Sequence, residues 1–175
     1  ALSLSLLLGL SGCASGTQSE SNEKTLTVGT SQEMSGVFSP LYYLSGFNGD
    51  VINLIYQGML KYDANSELNP DLAKEMPIVS EDGKTVTFKL KKGVKFSDGT
   101  KFTSSDVKYT FTVLSDPSYT GYLSTVPSNI EGYEDYSSGD AKELTGIETP
   151  DDYTVVFHMA KPKIDAESTL GTQKI

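Results

Sequence analysis

Arginine and tryptophan are absent from this chain of 175 residues, and cysteine and histidine occur once each. Without arginine there is no planar fork to hold a carboxylate or phosphate through two parallel hydrogen bonds, so a ligand's carboxyl terminus would have to find its partner elsewhere. All fourteen basic residues are lysine and the net charge is −9, a balance that disfavours nucleic acid, where basic side chains must neutralise phosphates, and suits an outward-facing protein. A single cysteine excludes an internal disulfide. A single histidine, His158, is a poor basis for a metal centre, which gathers several His, Cys or carboxylate ligands, so no metal site is expected. There is no Gly-x-Ser-x-Gly elbow and no glycine-rich phosphate loop between a strand and a helix. No internal repeat of the kind that builds solenoids or adhesive arrays is present. The carboxylates occur singly, in turns and on helix faces, as any surface requires. The expectation is therefore a binding protein rather than an enzyme, with no cofactor.

What is present begins with Leu2 to Leu10, apolar and small, too short to span a bilayer but of the length of a signal-peptide core. It ends in Leu10-Ser-Gly-Cys13, the lipobox pattern of bacterial lipoproteins, in which Cys13 becomes the lipidated first residue. Residues 1–12 are thus expected to be a signal peptide lacking its positively charged start. Cys13 and the Ser-rich, aperiodic residues 14–24 are expected to form a lipidated, flexible tether. Thr25-Leu-Thr-Val-Gly-Thr30 alternates as a first strand does. Gln32 to Gly49 is expected to be a long loop carrying Phe38, Tyr42, Tyr43 and Phe47, rings that suit a binding cleft and serve equally to pack a loop onto its own body.

Val51, Ile52, Leu54 and Ile55 fall at helical spacing over Asp50 to Gln57, with Gly58 ending the helix. Met59 to Asp63 is a short strand. The densest stretch of signals is Leu68 to Pro117. Glu81-Asp-Gly83 is a turn. In Lys84 to Lys91, Val86, Phe88 and Leu90 alternate with Thr87, Lys89 and Lys91, the period of a half-buried strand. Lys92-Gly93 turns the chain, and Val94-Lys-Phe96 is expected to pair back as a hairpin. Lys89, Lys91, Lys92 and Lys95 form a basic cluster open to two readings, phosphate or lipid binding and, since alternation places Lys89 and Lys91 on the solvent side of that hairpin, the expected one of a solvated face that protects a sheet edge. Ser97-Asp-Gly-Thr100 is another turn. Thr103 and Asp106 form a capping box for a helix bearing Val107, Thr110, Phe111 and Leu114 on one face, stopped at Asp116-Pro117. Thr149-Pro-Asp-Asp152 is expected to be a turn before an alternating strand from Tyr153 to Met159.

The order Asp-Leu-Ala73, Glu81-Asp-Gly-Lys-Thr85, Phe88-Lys-Leu-Lys-Lys-Gly-Val-Lys-Phe-Ser-Asp-Gly-Thr100 and Phe102-Thr-Ser-Ser-Asp-Val107 closely resembles the signature region of the extracellular solute-binding proteins, family 5, the oligopeptide and dipeptide receptors of ABC importers. This chain departs from the family in having Met76 where many members carry tryptophan, Ser39 where Asp usually precedes Pro40, and about one extra residue in Pro77 to Ser80. The resemblance implies an α/β, periplasmic-binding-protein-like fold of type II, with two lobes, of which this chain is the first third. In those terms residues 25–58 begin the first lobe with a ligand-facing loop, and residues 59–175 form a smaller inserted subdomain of hairpin, helix and closing strand, with Gly171-Thr-Gln-Lys-Ile175 lacking a closing element. It further implies that Tyr43, Leu44, Ser45, Gly46 and Phe47, with Tyr119 and Tyr122, contact a bound peptide. The implied protein is a monomeric receptor, anchored by lipid at the outer face of the cytoplasmic membrane, that delivers peptides to ABC permease subunits. Nickel, an oligosaccharide or a signalling peptide is the alternative cargo within the family.

Overall fold

The computed structural model describes Thr27, residues 29–31 and residues 33–175. The expected signal peptide, Cys13 and the tether of 14–24 lie outside the described residues. Of the expected strand 25–30, Thr27, Gly29 and Thr30 are described and are not in a strand.

The first regular element starts earlier than its apolar periodicity. Helix α1 spans Gly46–Ile55, because Ser45 in extended conformation accepts a hydrogen bond from the Phe47 amide at 3.3 Å and so caps the helix well before Val51, the first periodic position. The expected loop of 32–49 therefore ends at Ser45, and the helix stops at Tyr56, whose amide closes on Ile52. Strands β1 (Leu60–Tyr62) and β2 (Leu68–Pro70) then form an antiparallel pair. The turn between them is held by the Asp63 carboxylate, which accepts from the amides of Asn65 and Glu67 at 2.8 and 3.0 Å.

Strands β3 (Ile78–Val79), β4 (Thr85–Lys89), β5 (Ile147–Asp151) and β6 (Thr154–His158) make an antiparallel sheet in the order β3-β4-β6-β5. The alternation read from Lys84 to Lys91 is real: Val86, Phe88 and Leu90 are buried while Lys89 and Lys91 are exposed. The expected hairpin with Val94-Lys-Phe96 does not form. Both edges of β4 are taken, one by β3 and the other by β6 with Val86 opposite Phe157 and Phe88 opposite Val155, so no ladder position remains for 94–96. That segment instead closes on itself, with Lys95 opposite Lys101 and the Phe102 amide donating to Val94. Lys89 consequently ends an interior strand, and edge protection does not explain it.

Helix α2 (Ser104–Ser115) buries the expected face of Val107, Thr110, Phe111 and Leu114. Its start is fastened by the Asp106 carboxylate, which accepts from the Thr103 amide at 2.7 Å and its hydroxyl at 3.2 Å. A second tie comes from Ser104, whose amide donates to Asp152 O and whose hydroxyl donates to Asp151 O. This fixing of Asp151 and Asp152 corrects the expected turn at 149–152: Thr149 to Asp151 continue β5, and the reversal falls at Asp152-Tyr153.

α2 lies across β5 and β6, and the layer between holds three rings. Phe157 meets Phe88 and Phe111 edge-on, at centroid distances of 5.9 and 4.9 Å, and all three are fully buried. Two short helices follow, α3 (Tyr133–Ser138), ended by Gly139 with φ of +86°, and α4 (Ala166–Gly171). The tail expected to lack a closing element is thus preceded by α4 and held to α1's far end, with Lys174 bridging to Gly58 and the Ile175 amide donating to Gln57. Residues 33–175 belong to one compact unit.

Five turn carboxylates, of Asp63, Asp82, Asp98, Asp116 and Asp151, are held below the ordinary carboxylate range. The leading cause is a backbone hydrogen bond to Asp63 and Asp151, and a side-chain hydrogen bond from Ser80, Thr100 and Ser118 to Asp82, Asp98 and Asp116. A depressed folded-state value contributes stability that is present above the unfolded value, 3.8, and is lost as pH falls through the folded one. The melting temperature is accordingly expected to hold on the alkaline side of that range and to fall on acidification below it. A melting temperature that rises on such acidification would contradict these turn assignments.

Candidate functional site

The chain between the first described residues and α1 is shaped by a few polar contacts. Tyr42 and Tyr43 both donate their amides to Ser39 O, and the Ser39 hydroxyl accepts from the Leu41 amide at 3.3 Å, so serine closes this turn as aspartate can. Asn48, fully buried on α1, donates to Val37 O at 2.8 Å and accepts from the Ser35 amide and hydroxyl, which pins residues 35–37 beneath the helix. Gly49 lies under the Tyr43 ring: a Cβ there would stand 3.1 Å from Cε2.

The turn after α2 meets this segment. Asp116 accepts from the amide and hydroxyl of Ser118 at 2.8 and 2.5 Å, and the turn presents two tyrosines to the two of the N-terminal segment. Tyr119 packs on Tyr42 at 5.1 Å and donates its hydroxyl to Leu41 O at 2.5 Å, while Tyr122 meets Tyr43 edge-on at 5.8 Å. Loss of solvent is the first cause that pushes both phenols above their ordinary range, and Tyr43 adds to the effect at Tyr122. Since 47% of Tyr122 remains exposed, that shift carries little stability.

Beside Tyr43 opens a cleft of about 580 Å³, walled by the end of α1, by β1 and by the 172–174 segment. Its polar floor centres on Asp71, 10% exposed at the side chain, which accepts from Gln57 Nε2 at 2.9 Å and from Lys61 Nζ at 3.3 Å. Lys174 also lines the cleft. Burial lowers its pKa below the ordinary lysine range, and Asp71 partly restores it. Tyr43, Tyr56 and Tyr62 supply rings around this charged floor. A cleft of this size, with aromatic walls and a few converging donors and acceptors, is suited to an extended polar chain.

The sequence brought seven residues forward as ligand contacts, and their placements differ. Tyr43 lines the cleft and touches Tyr122. Ser45 spends its side chain on the cap of α1, and Gly46 and Phe47 form its first turn. Leu44 is 85% exposed. Tyr119 is turned to Tyr42 and its hydroxyl is engaged by Leu41, so it positions the N-terminal segment. Asp71, Gln57 and Lys174 were missed. For Asp71 the only signal was its place in the Asp-Leu-Ala73 motif, since a lone acid is ordinarily a surface residue. His158 stands 3.2 Å from Glu148 on the neighbouring strand, and among the described residues no cluster of three metal-ligating side chains occurs.

The family model described as bacterial extracellular solute-binding proteins, family 5 Middle, matches residues 67–173, more than half of the chain. The dipeptide-binding protein DppE of Bacillus subtilis is 28% identical over 176 residues, covering 93% of this chain and 32% of that protein. The periplasmic oligopeptide-binding protein OppA of Haemophilus influenzae is 34% identical over 118 residues, covering 63% of this chain and 21% of its own length. Among solved structures, that of Haemophilus influenzae OppA in complex with the peptide RPPGFSPFR superposes with a TM-score of 0.71 at 28% identity, covering 77% of this chain and 28% of the other. Listeria monocytogenes OppA bound to peptide superposes with a TM-score of 0.68 at 25% identity, with 77% and 28% covered. The chain spans less than a third of the length of these relatives. With its signature region matched and its mixed α/β architecture shared with peptide receptors of known structure, the chain belongs to the bacterial extracellular solute-binding proteins, family 5.

Proposed function

We propose that this chain is part of an ABC-importer receptor that captures oligopeptides or dipeptides and presents them to membrane permease subunits. The observation that carries the reading is the half-open cleft beside Tyr43: it has tyrosine walls, a buried Asp71 and flanking Gln57 and Lys174, but no nucleophile-and-base pair and no phosphate cradle. Such a surface offers apolar area and hydrogen bonds without reaction chemistry. The residues assigned to the peptide are Tyr43 and Tyr122 by contact, with Leu44, Ser45, Gly46, Phe47 and Tyr119 forming and holding the rim. Capture works by differential binding: a second lobe closes on the occupied site because the closed form gains contacts with ligand from both sides, and the permease recognises closure. Cys13 tethers the receptor by lipid to the outer face of the cytoplasmic membrane.

Native mass spectrometry of the full-length receptor as purified tests the cargo. Peptide-sized adducts that leave on unfolding are expected, as is heat on titration with a mixed peptide library. Nickel or oligosaccharide adducts, with no heat from peptides, would overturn the peptide assignment. Replacing Cys13 by alanine is expected to move the receptor from the membrane to the soluble fraction on washing with high salt, which screens surface charge, and membrane association that withstands this wash unchanged would overturn the lipid anchor.

A further inference from the structure

Charge is segregated along this chain in a way that capture of a peptide does not require. Residues 74–101 hold seven lysines and four acids, whereas residues 102–153 hold two lysines and ten acids. In the fold, Lys74 and Lys92 line two adjoining shallow concavities, which Lys89 and Lys91 extend on either side. The bridge between Ala73 and Leu90, together with the Lys74 amide's bond to Lys89 O, holds the two segments that carry these side chains at fixed spacing. Lys89 is partly engaged, donating to Thr154 at 2.9 Å with Asp151 behind it, and Lys92 stands over the Tyr153 ring at 5.4 Å. Lys74, Lys91, Lys95 and Lys101 have no ion-pair partner among the described residues. Edge protection is ruled out for Lys89 and Lys91, because backbone bonds occupy both sides of 89–91, from the Lys74 amide to Lys89 O and the Lys91 amide to Leu72 O on one and from the Leu90 amide to Tyr153 O on the other.

A second feature adjoins the lysines. After Lys92-Gly93 the chain leaves the sheet as an excursion whose arms meet at Lys95 and Lys101, and this excursion carries Phe96, 39% exposed, supported edge-on by Phe102 at 6.1 Å. Val94 lines both the basic concavity and the apolar one beneath Phe96, so the two adjoin. Exposed lysines next to a projecting aromatic ring match the chemistry of a bilayer interface: headgroup phosphates attract the ammonium groups, and the ring settles at the boundary with the acyl chains. Lysine also suits this purpose better than a shaped protein site would require, since a compact charge on a flexible stem fits a diffuse anionic surface and does not depend on paired, planar geometry.

We propose that the surface formed by Lys74, Lys91, Lys92, Lys95 and Lys101 with Phe96 rests on anionic phospholipid and orients the receptor on its membrane. The inference builds on the receptor reading, in which the protein is held within reach of a bilayer. The test uses the full-length receptor with Cys13→Ala, so that no acyl chain contributes, in sedimentation with vesicles of phosphatidylglycerol and phosphatidylcholine or of phosphatidylcholine alone. Binding to the anionic vesicles only is expected, weakening as salt rises. Combining Lys74→Gln, Lys91→Gln and Lys92→Gln is expected to weaken it about 100-fold, at roughly fivefold for each basic residue near the surface. Lys108→Gln, Lys142→Gln and Lys161→Gln together, the same change of net charge elsewhere, should leave it near the parent value. Absence of binding to anionic vesicles, equal loss in both triple variants, or binding only to vesicles that contain the permease would each overturn the proposal, the last by assigning the surface to an acidic protein partner. Glycerol phosphate in excess should not compete, and competition would replace the surface by a discrete phosphate site. Peptide titration of the same preparation separates this proposal from the receptor reading: vesicle binding without peptide binding sinks only the latter, and the reverse only the former.

Discussion

Replacing Phe157 by alanine is expected to cost about 3–5 kcal/mol of unfolding free energy, the range for removing a buried aromatic side chain. Phe157 is fully buried, and it is the ring that both Phe88 of β4 and Phe111 of α2 contact. It also stands opposite Val86 on one neighbouring strand and Ile147 on the other, so its removal leaves a void at the point where sheet and helix meet. These two edge-on aromatic contacts are lost with it, each worth more than its buried area alone. Since single domains are stable by only about 5–15 kcal/mol, the variant loses a large share of its margin. Urea denaturation followed by circular dichroism measures it. Phe157→Leu, which retains most of the volume, should lose clearly less. Equal losses in the two variants would mean that packing volume at this position is not what holds the sheet to α2.

Gly58→Val is expected to produce the second large effect, and one that joins stability to the cleft. A Cβ at Gly58 would stand 2.7 Å from Gly171 O, 2.9 Å from Leu60 O and 3.0 Å from Gln173 O, all backbone atoms that cannot turn aside. The chain on one side carries Gln57 and Lys61, and on the other Gln173 and Lys174, so relief of the clash parts the walls of the cleft around Asp71. Overpacking of this kind typically costs 1–3 kcal/mol. In the full-length receptor a loss of peptide affinity is expected to accompany it even at temperatures where the variant remains folded. Calorimetric titration alongside a melting curve distinguishes the two effects. A variant that is destabilised yet binds peptide as tightly as the parent would place the ligand away from this cleft.

Much of this architecture was written in local patterns. The alternation of Val86, Phe88 and Leu90 and the helical face of Val107, Phe111 and Leu114 record burial directly, because each element shows one side to the core. Pairing is another matter. Nothing local to Lys84–Lys91 says that its neighbours are 78–79 and 154–158; a nearby alternating triplet at Val94–Phe96 offered a shorter loop, but the distant strand offered the larger buried face. The start of α1 at Gly46 was hidden for a related reason, since Ser45 caps the helix before any apolar repeat begins.

The site was legible only in part. The family resemblance implied that Tyr43, Tyr119 and Tyr122 each contact a bound peptide, whereas the contacts the structure shows are ring on ring, Tyr42 with Tyr119 and Tyr43 with Tyr122, across 77 and 79 positions of sequence. The charged floor was not legible, because Asp71 and Lys174 come from segments far apart in the chain and each alone reads as an ordinary surface charge. Their meeting depends on the 172–175 segment folding back on Gln57 and Gly58.

Photo-crosslinking a bound peptide to the full-length receptor measures most directly whether this region forms one wall of a peptide site. With a benzophenone side chain placed along the peptide, the account predicts adducts within residues 42–47 or at Tyr122, diminished by excess unlabelled peptide. Competable adducts confined to other parts of the receptor would contradict it.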